Sequence, residues 1–435
     1  MLKIGVSTEI ITPEEGTLLA GYPSIRKSKI INDDLTVSAI CFSDGEQTAI
    51  MISACIVSVN ENIVSRVKKL VKEIKGIENV TMSATHTHSG PVVRSTPGWG
   101  VADENYISKI LIPKTVKACI DASESMRDGL VGIGVTESDV GINRREIKED
   151  GTVKLGFNPW GLVDKKMYVI AFKEPNGKPI CNMIHYGCHG TAAPGFVWDS
   201  PVTRDWSGVM TDRLETYTDA PTVFFDGAEG DIAPRTMFHY DKNKLPQMME
   251  LGGKAGLDAI NAYNNIREYR ELELNIKKDI ISLDYEEPMS KEAALQRLEE
   301  LADKDDQMWD LEKSALKKVV DFHDGKYKRD DSFTYEQIII SLGEIAFVPY
   351  PFELFTEISM RLQKFSPFGY TLTLSNTNES YGYLPNETDI VRGGYEIWSF
   401  RNRGILSLAQ NSDTKTINEN LRILREMKGE IKNGK

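Results

Sequence analysis

Cysteine is scarce in this chain: five residues (Cys41, Cys55, Cys119, Cys181 and Cys188) are scattered over 435 positions, with no C-x-x-C pair. An odd, dispersed set supplies neither a disulfide framework nor a cysteine-based zinc site, so these read as small core hydrophobes. Long apolar runs are missing too. No stretch approaches the roughly 18 apolar residues that a bilayer-spanning helix needs. The first residues, Met1-Leu2-Lys3-Ile4-Gly5-Val6-Ser7-Thr8-Glu9, form no apolar core of about 7–15 residues before a small-residue cleavage site, which predicts a cytoplasmic protein. Positive charge is in deficit, 52 Lys+Arg against 64 Asp+Glu, for a net charge of -12. Such a body repels polyanions, so neither a nucleic-acid partner nor a stable membrane anchor is expected. Phosphate-cradling motifs are absent as well: no G-x-G-x-x-G follows an apolar run, and there is no G-x-x-x-x-G-K. Gly252, Gly253 and Gly256 lie in a helical setting and read as packing positions.

What remains is a globular composition, 40% hydrophobic and 27% charged. Short apolar runs alternate with helical stripes, which predicts an α/β fold with a mixed β-sheet layered by helices. Runs at 37–42 and 48–53 flank Ser43-Asp44-Gly45-Glu46 and predict a hairpin. A helix is expected from Asn60, with Ile63, Val64, Val67, Leu70, Val71 and Ile74 on its stripe, and then a strand over 79–84. Further strands are expected at 129–136, 166–173, 180–186 and 223–225, with helices at 104–124 and 205–217. From 247 to 326 the composition shifts to helices dense in Glu, Lys, Leu and Ala, interrupted by a strand-like 271–276, and reads as a helix-rich insertion or cover. A β pattern resumes at 337–349. A helix from Glu353, a strand at 371–374, an irregular stretch to about 410 and a closing helix complete the pattern. With no repeat, low-complexity tract or Pro/Gly/Ser linker, 1–435 reads as a single catalytic domain.

Four of the six histidines fall in two clusters. On a strand, His86 and His88 of Thr85-His86-Thr87-His88-Ser89-Gly90-Pro91 share a face, the way an H-x-H pair offers imidazoles to one metal or one substrate. In Ile184-His185-Tyr186-Gly187-Cys188-His189-Gly190-Thr191, His189 stands beside glycines that allow close backbone approach. His185, inside the apolar run, reads as a hydrogen-bonded core residue. His239 and His323 carry no such context. Two nitrogens do not close a zinc site; a carboxylate or other hard donor is needed, and spacing does not choose it among 64 acids.

The segment Ser83-Ala84-Thr85-His86-Thr87-His88-Ser89-Gly90-Pro91 resembles the signature of the neutral, non-lysosomal ceramidases, zinc amidohydrolases that cleave N-acylated sphingoid bases. Asn143-Arg144, His189-Gly190-Thr191, Gly230-Asp231-Ile232-Ala233-Pro234, Pro351-Phe352-Glu353 with Thr356, and Tyr381-Gly382-Tyr383 with Tyr395-Glu396 resemble further elements of that family, in the same order. Ala20-Gly21-Tyr22 is similar to its early Gly-Tyr turn. The resemblance implies one Zn2+ per chain held by His86, His189, Glu353 and Tyr383. It also places His88, Arg144 and Tyr395 around the scissile carbonyl and leaving group, with Gly21 and Ala233 at the pocket edge. The implied reaction is attack of zinc-bound hydroxide on an amide, since zinc lowers the pKa of bound water toward about 7.

Three departures qualify the expectation. Ala233 replaces the family's serine, the family's C-terminal immunoglobulin-like domain is not expected here, and no leader is expected either. They favour hydrolysis of a C–N amide bond in a soluble N-acyl small molecule over a true ceramidase. Ester or lactone hydrolysis, and a non-catalytic metal-binding relative, stand as alternatives. Aromatics at 96–100, 157–161 and 195–198, each with a tryptophan, are candidates for the pocket wall.

Overall fold

The computed structural model describes residues 1–193, 200–238, 245–304 and 306–429. Three larger sheets share one core. The first runs, in order, Asn79–Ala84, Thr48–Ala54, Thr36–Ser43, Lys3–Ile10 and Arg127–Asp128. The second runs Thr222–Asp226, Pro179–Tyr186, Lys166–Lys173 and Leu130–Glu137, and the third Leu274–Asp284, Ser332–Leu342, Ile345–Pro349 and Tyr370–Leu374.

The alternation of side chains along a strand explains why these segments read as continuous apolar runs. In Thr36–Ser43, Val37, Ala39 and Cys41 face the helices Glu61–Lys75 and Ile112–Glu124, whereas Ile40 and Phe42 face the other sheets. In Lys166–Lys173, Met167 and Val169 pack toward the helices Asp205–Thr218 and Leu245–Asn264; Tyr168, Ile170 and Phe172 join Ile40, Phe42, Ile338, Ile340 and Phe347 in the central cluster. Each sheet thus buries one face against the other two and the opposite face under helices; on the third these are Thr356–Phe365 and Ser412–Met427. All five cysteines are buried and unpaired, as small core residues.

Local signals account for most boundaries. Asn60 caps Glu61–Lys75 by accepting from Ile63 N, and Gly76 ends that helix at φ 70°, where a side chain would be strained. The helix expected over 104–124 is broken by one π turn at Ile107–Leu111. Within 247–326, Leu274–Asp284 pairs along its whole length with Ser332–Leu342, so it belongs to the third sheet. The helices Lys291–Glu300 and Gln307–His323 pack around a separate small cluster that includes Leu301, Leu316 and Val319. Gly252 and Gly256 sit where a Cβ would collide with Trp206, Val209 and Arg213, as expected of helix-packing glycines. No helix among the described residues is long and apolar enough to cross a membrane.

Each sheet contains one parallel pair: Thr48–Ala54 with Asn79–Ala84, Pro179–Tyr186 with Thr222–Asp226, and Ile345–Pro349 with Tyr370–Leu374. The carboxyl ends of the three pairs converge. Ser53 Oγ donates to Phe224 O at 2.5 Å, Ser375 N to Asp226 O at 3.1 Å, and Ala84 N to Asn376 O at 3.2 Å. Carboxyl ends of parallel strands are where open α/β sheets place their ligands.

Candidate active site

The segments leaving those strand ends carry His86, His88, His189, Ala233, Glu353 and Tyr383, whereas Arg144 comes from the strand Gly141–Ile147 and Tyr395 from the start of the helix Tyr395–Arg401. The strand stops at Ala84, so His86 and His88 are not strand neighbours sharing a face, as the sequence suggested. His86 is instead in the left-handed region, φ 58°, uncommon for a residue with a Cβ. The turn brings the rings together by another route: the Nε2 atoms of His86 and His88 lie 3.3 Å apart. The His189 loop is stitched alongside, with Thr87 bridging Gly190 and His88 N donating to Gly190 O at 3.0 Å. A Cβ at Gly190 would lie 2.8 Å from the His86 carbonyl, so that close approach depends on glycine.

Glu353 does not begin a helix; the helix starts at Thr356. Glu353 lies in a two-residue strand whose parallel partner is Tyr383–Leu384, which sets Glu353 and Tyr383 side by side. Asp231 fixes this segment by accepting from Thr356 N at 2.8 Å and from Asn143 Nδ2 at 3.0 Å, so the Asn-Arg and Gly-Asp elements interlock beneath the glutamate.

The tautomers follow from the partners. His86 Nδ1 donates to Val57 O at 2.6 Å, and His189 Nδ1 to Glu229 O at 2.8 Å and Ile232 O at 3.1 Å. Carbonyls only accept, so each Nδ1 holds the proton and each Nε2 presents a lone pair. Both lone pairs face Glu353 Oε2, at 3.6 Å from His86 and 3.4 Å from His189. His189 Nε2 and Glu353 Oε2 are buried with no hydrogen-bond partner. Burial raises the Glu353 pKa, but His86, His189 and Arg144 outweigh it and hold the carboxyl at about 2; burial, with Arg144 and His86, lowers His189 to about 3. An anionic oxygen facing two buried lone pairs is an arrangement that suits a cation, and a two-imidazole, one-carboxylate donor set fits a borderline divalent ion such as zinc. His86, His88 and His189 form one group of converging ligand atoms, and His86, Glu229 and Glu353 a second.

Around this centre, Arg144 is buried rather than a surface residue. Its Nε donates to Glu396 Oε1 at 2.9 Å and its NH2 to the Tyr383 hydroxyl at 2.9 Å. Arg145 NH1 donates to the other Glu396 oxygen at 2.8 Å. The Tyr395 ring lies 5.8 Å from that of Tyr383 and is 39% exposed, which puts it at the rim. Gly21, at φ 101°, lies against the His88 imidazole, in space a Cβ would need. Ala233 is fully buried opposite Ile142, next to the Ile232 carbonyl that receives His189.

His185 is the core residue expected, donating from Nε2 to Thr373 O at 2.7 Å. His323 is exposed and bonds Met289 O; His239 and 195–198 lie outside the described residues. Of the candidate wall aromatics, Trp160 is 94% exposed and Trp99 packs against Ala20, Val57 and Val92. The sequence reading assigned no role to Glu396, Glu229 or Asn376. Asn376 donates to Glu229 Oε1 at 2.6 Å beside His86 Nδ1. The one signal was the adjacent pair Arg144-Arg145, which requires a counter-charge once buried.

No protein-family model matches the sequence, and no curated protein matches it. Solved structures do. The neutral ceramidase of Pseudomonas aeruginosa superposes with a TM-score of 0.74 at 14% identity, covering 100% of this chain and 75% of that one. A ceramidase complexed with C2 gives 0.75 at 13% identity, covering 100% and 76%. The chain has a neutral-ceramidase-like fold. Within this ceramidase-like fold, the motifs that carried the sequence resemblance are the loops gathered at the converging strand ends.

Proposed function

We propose that the chain is a metal-dependent hydrolase that cleaves the C–N amide bond of an N-acylated small molecule. The observation that carries this reading is the buried convergence of His86 Nε2, His189 Nε2 and Glu353 Oε2. The ceramidase-like fold supports it. His86, His189 and Glu353 would hold a zinc-like ion, with Tyr383 on the neighbouring ladder position as fourth donor. When bound, such an ion supplies Lewis-acid chemistry, polarising an amide carbonyl and acidifying water at neutral pH.

The chain's own groups do the rest. Glu396 and Tyr383 hold the Arg144 guanidinium in a buried setting, where a fixed positive charge stabilises negative charge developing on a carbonyl oxygen more than water would. Tyr395 adds a hydroxyl at the rim for the same oxygen or for the leaving group. His88 places an imidazole beside His86, within reach of a proton passing to the departing amine. Nothing in this scheme requires a hydroxyl at position 233.

The test combines metal analysis with amine release from a panel of N-acyl compounds, with and without chelator. One ion per chain and chelator-sensitive amide cleavage are expected, with ion and activity both lost in His86→Ala and His189→Ala. Full metal occupancy in both variants would refute the ligand assignment. Stoichiometric metal without cleavage of any amide or ester would instead favour a metal-binding relative disabled by Ala233.

A further inference from the structure

Among the described residues, two guanidiniums beside the site have no carboxylate within ion-pair distance. Arg94 lies just beyond the His86–His88 loop, and its NH1 donates to Ser380 O at 2.7 Å. Arg403 comes soon after the helix that carries Glu396. Its guanidinium carbon stands 4.6 Å from the centroid of the Tyr381 ring, and its NH2 occupies the space a Cβ on Gly382 would take. The segment 380–383 therefore meets an arginine at Ser380 and another at Tyr381 and Gly382. This is also the segment whose Gly382 carbonyl accepts from Glu353 N at 2.9 Å and whose Tyr383 pairs with Glu353.

Four arginines elsewhere in the fold are neutralised. Arg144, Arg145, Arg204 and Arg361 each have a carboxylate oxygen within 3.2 Å. Among the described residues, neither Arg94 nor Arg403 makes an ion pair. Both are half-buried, and burial pulls both below the ordinary arginine value; Glu353 and Glu379 offset this in part for Arg94, and Tyr381 and Glu353 for Arg403, against repulsion from Arg94. Glu379 attracts both arginines without forming an ion pair with either; burial and Glu61 push its own carboxyl upward, against the pull of Arg94 and Arg403. Two half-buried cations that share a neighbourhood, with Glu353 and Glu379 acting on them only from beyond ion-pair distance, would be stabilised by a further anion that a ligand supplies. The planar fork of each guanidinium matches a carboxylate.

We propose that Arg94 and Arg403 bind an anionic group of the substrate, a carboxylate close to the scissile amide, so that the compounds taken are N-acyl amino-acid-like acids and not uncharged N-acyl lipids. The assignment rests on the amide-hydrolase reading of the neighbouring centre, and it adds a substrate class to that reading.

The experiment compares N-decanoylglycine with N-decanoylethanolamine, which share an acyl chain, on the metal-loaded protein. Both kcat/KM and calorimetric binding are measured, with metal content and melting temperature checked for every variant. The acid is expected to be preferred by about tenfold or more, a preference that Arg94→Gln and Arg403→Gln each reduce and the corresponding lysine variants retain in part. All variants carry the same ion, so its own pull on the carboxylate cancels from the comparison. Preference for the ethanolamide, or a preference for the acid that neither glutamine variant moves, overturns the proposal. If neither compound is cleaved, binding decides: tighter binding of the acid that is lost in Arg403→Gln upholds the anion site while the hydrolase reading fails, and equal binding of the two compounds overturns it.

Discussion

Glu396 is the residue whose loss would be felt most widely around the site. It is 1% exposed and accepts from Arg144 Nε at 2.9 Å and from Arg145 NH1 at 2.8 Å, one oxygen for each guanidinium. Glu396→Gln keeps the shape but replaces one oxygen by an N–H donor, so one guanidinium meets another donor and the buried negative charge disappears. Breaking a buried pair in this way costs about 3–5 kcal/mol. Arg145 retains the Gly393 carbonyl at 2.6 Å and Asp389 at 3.4 Å, so the lower end, about 3 kcal/mol, applies. At an unfolding entropy of about 2 cal/mol/K per residue over 435 residues, that corresponds to a fall of roughly 3 °C in melting temperature. Arg144 would also lose the group that aims it at Tyr383, and kcat on an N-acyl substrate should fall by about 10–100-fold, more than KM changes. Differential scanning calorimetry and steady-state kinetics read the two effects. A variant melting within about 1 °C of wild type with kcat within about twofold would refute the account of this network.

Gly21→Ala should displace His88, because the added Cβ meets the imidazole and φ 101° strains any side chain; a destabilisation of about 1–3 kcal/mol in urea titration and a lower kcat are expected, with metal content unchanged. His185 is buried neutral, its pKa lowered by burial against the hydrogen bond to Thr373. The unfolded chain therefore takes up a proton that the folded one refuses, so this contribution is present above pH ~6.5 and is lost as pH falls below it, by at most about 1.4 kcal/mol per pH unit. His185→Gln should flatten stability against pH over that range by one proton, and an unchanged slope in pH-dependent denaturation would count against a buried neutral ring. Ala233→Ser should leave metal content unchanged and kcat within about threefold; a gain of about tenfold or more would give the hydroxyl a part in the reaction.

The strands were readable because each is buried on both faces, so apolar runs at 37–42, 166–173 and 180–186 marked them with little error. The site was readable only where chemistry is local in sequence: His86 with His88, His189 with its glycines, Arg144 with Asn143. The sequence reading starts a helix at Glu353, three residues before the helix Thr356–Phe365 begins, because the conformation of Glu353 is set by pairing with Tyr383, thirty residues away. Glu396 entered the sequence reading only as the neighbour of Tyr395, and Glu229 and Asn376 left no local trace, since an acid or amide that serves a buried partner looks in sequence like any surface residue. The reason His86 and His88 meet was also hidden, because it lies in one backbone angle and not in alternation along a strand.

That angle also carries a cost. A histidine at φ 58° stores conformational strain, about 1–3 kcal/mol for a non-glycine residue, which glycine at the same place would release. The imidazole that faces Glu353 therefore comes at a cost in folding free energy, so His86→Gly should lose the ring and its metal-binding lone pair while sparing the fold.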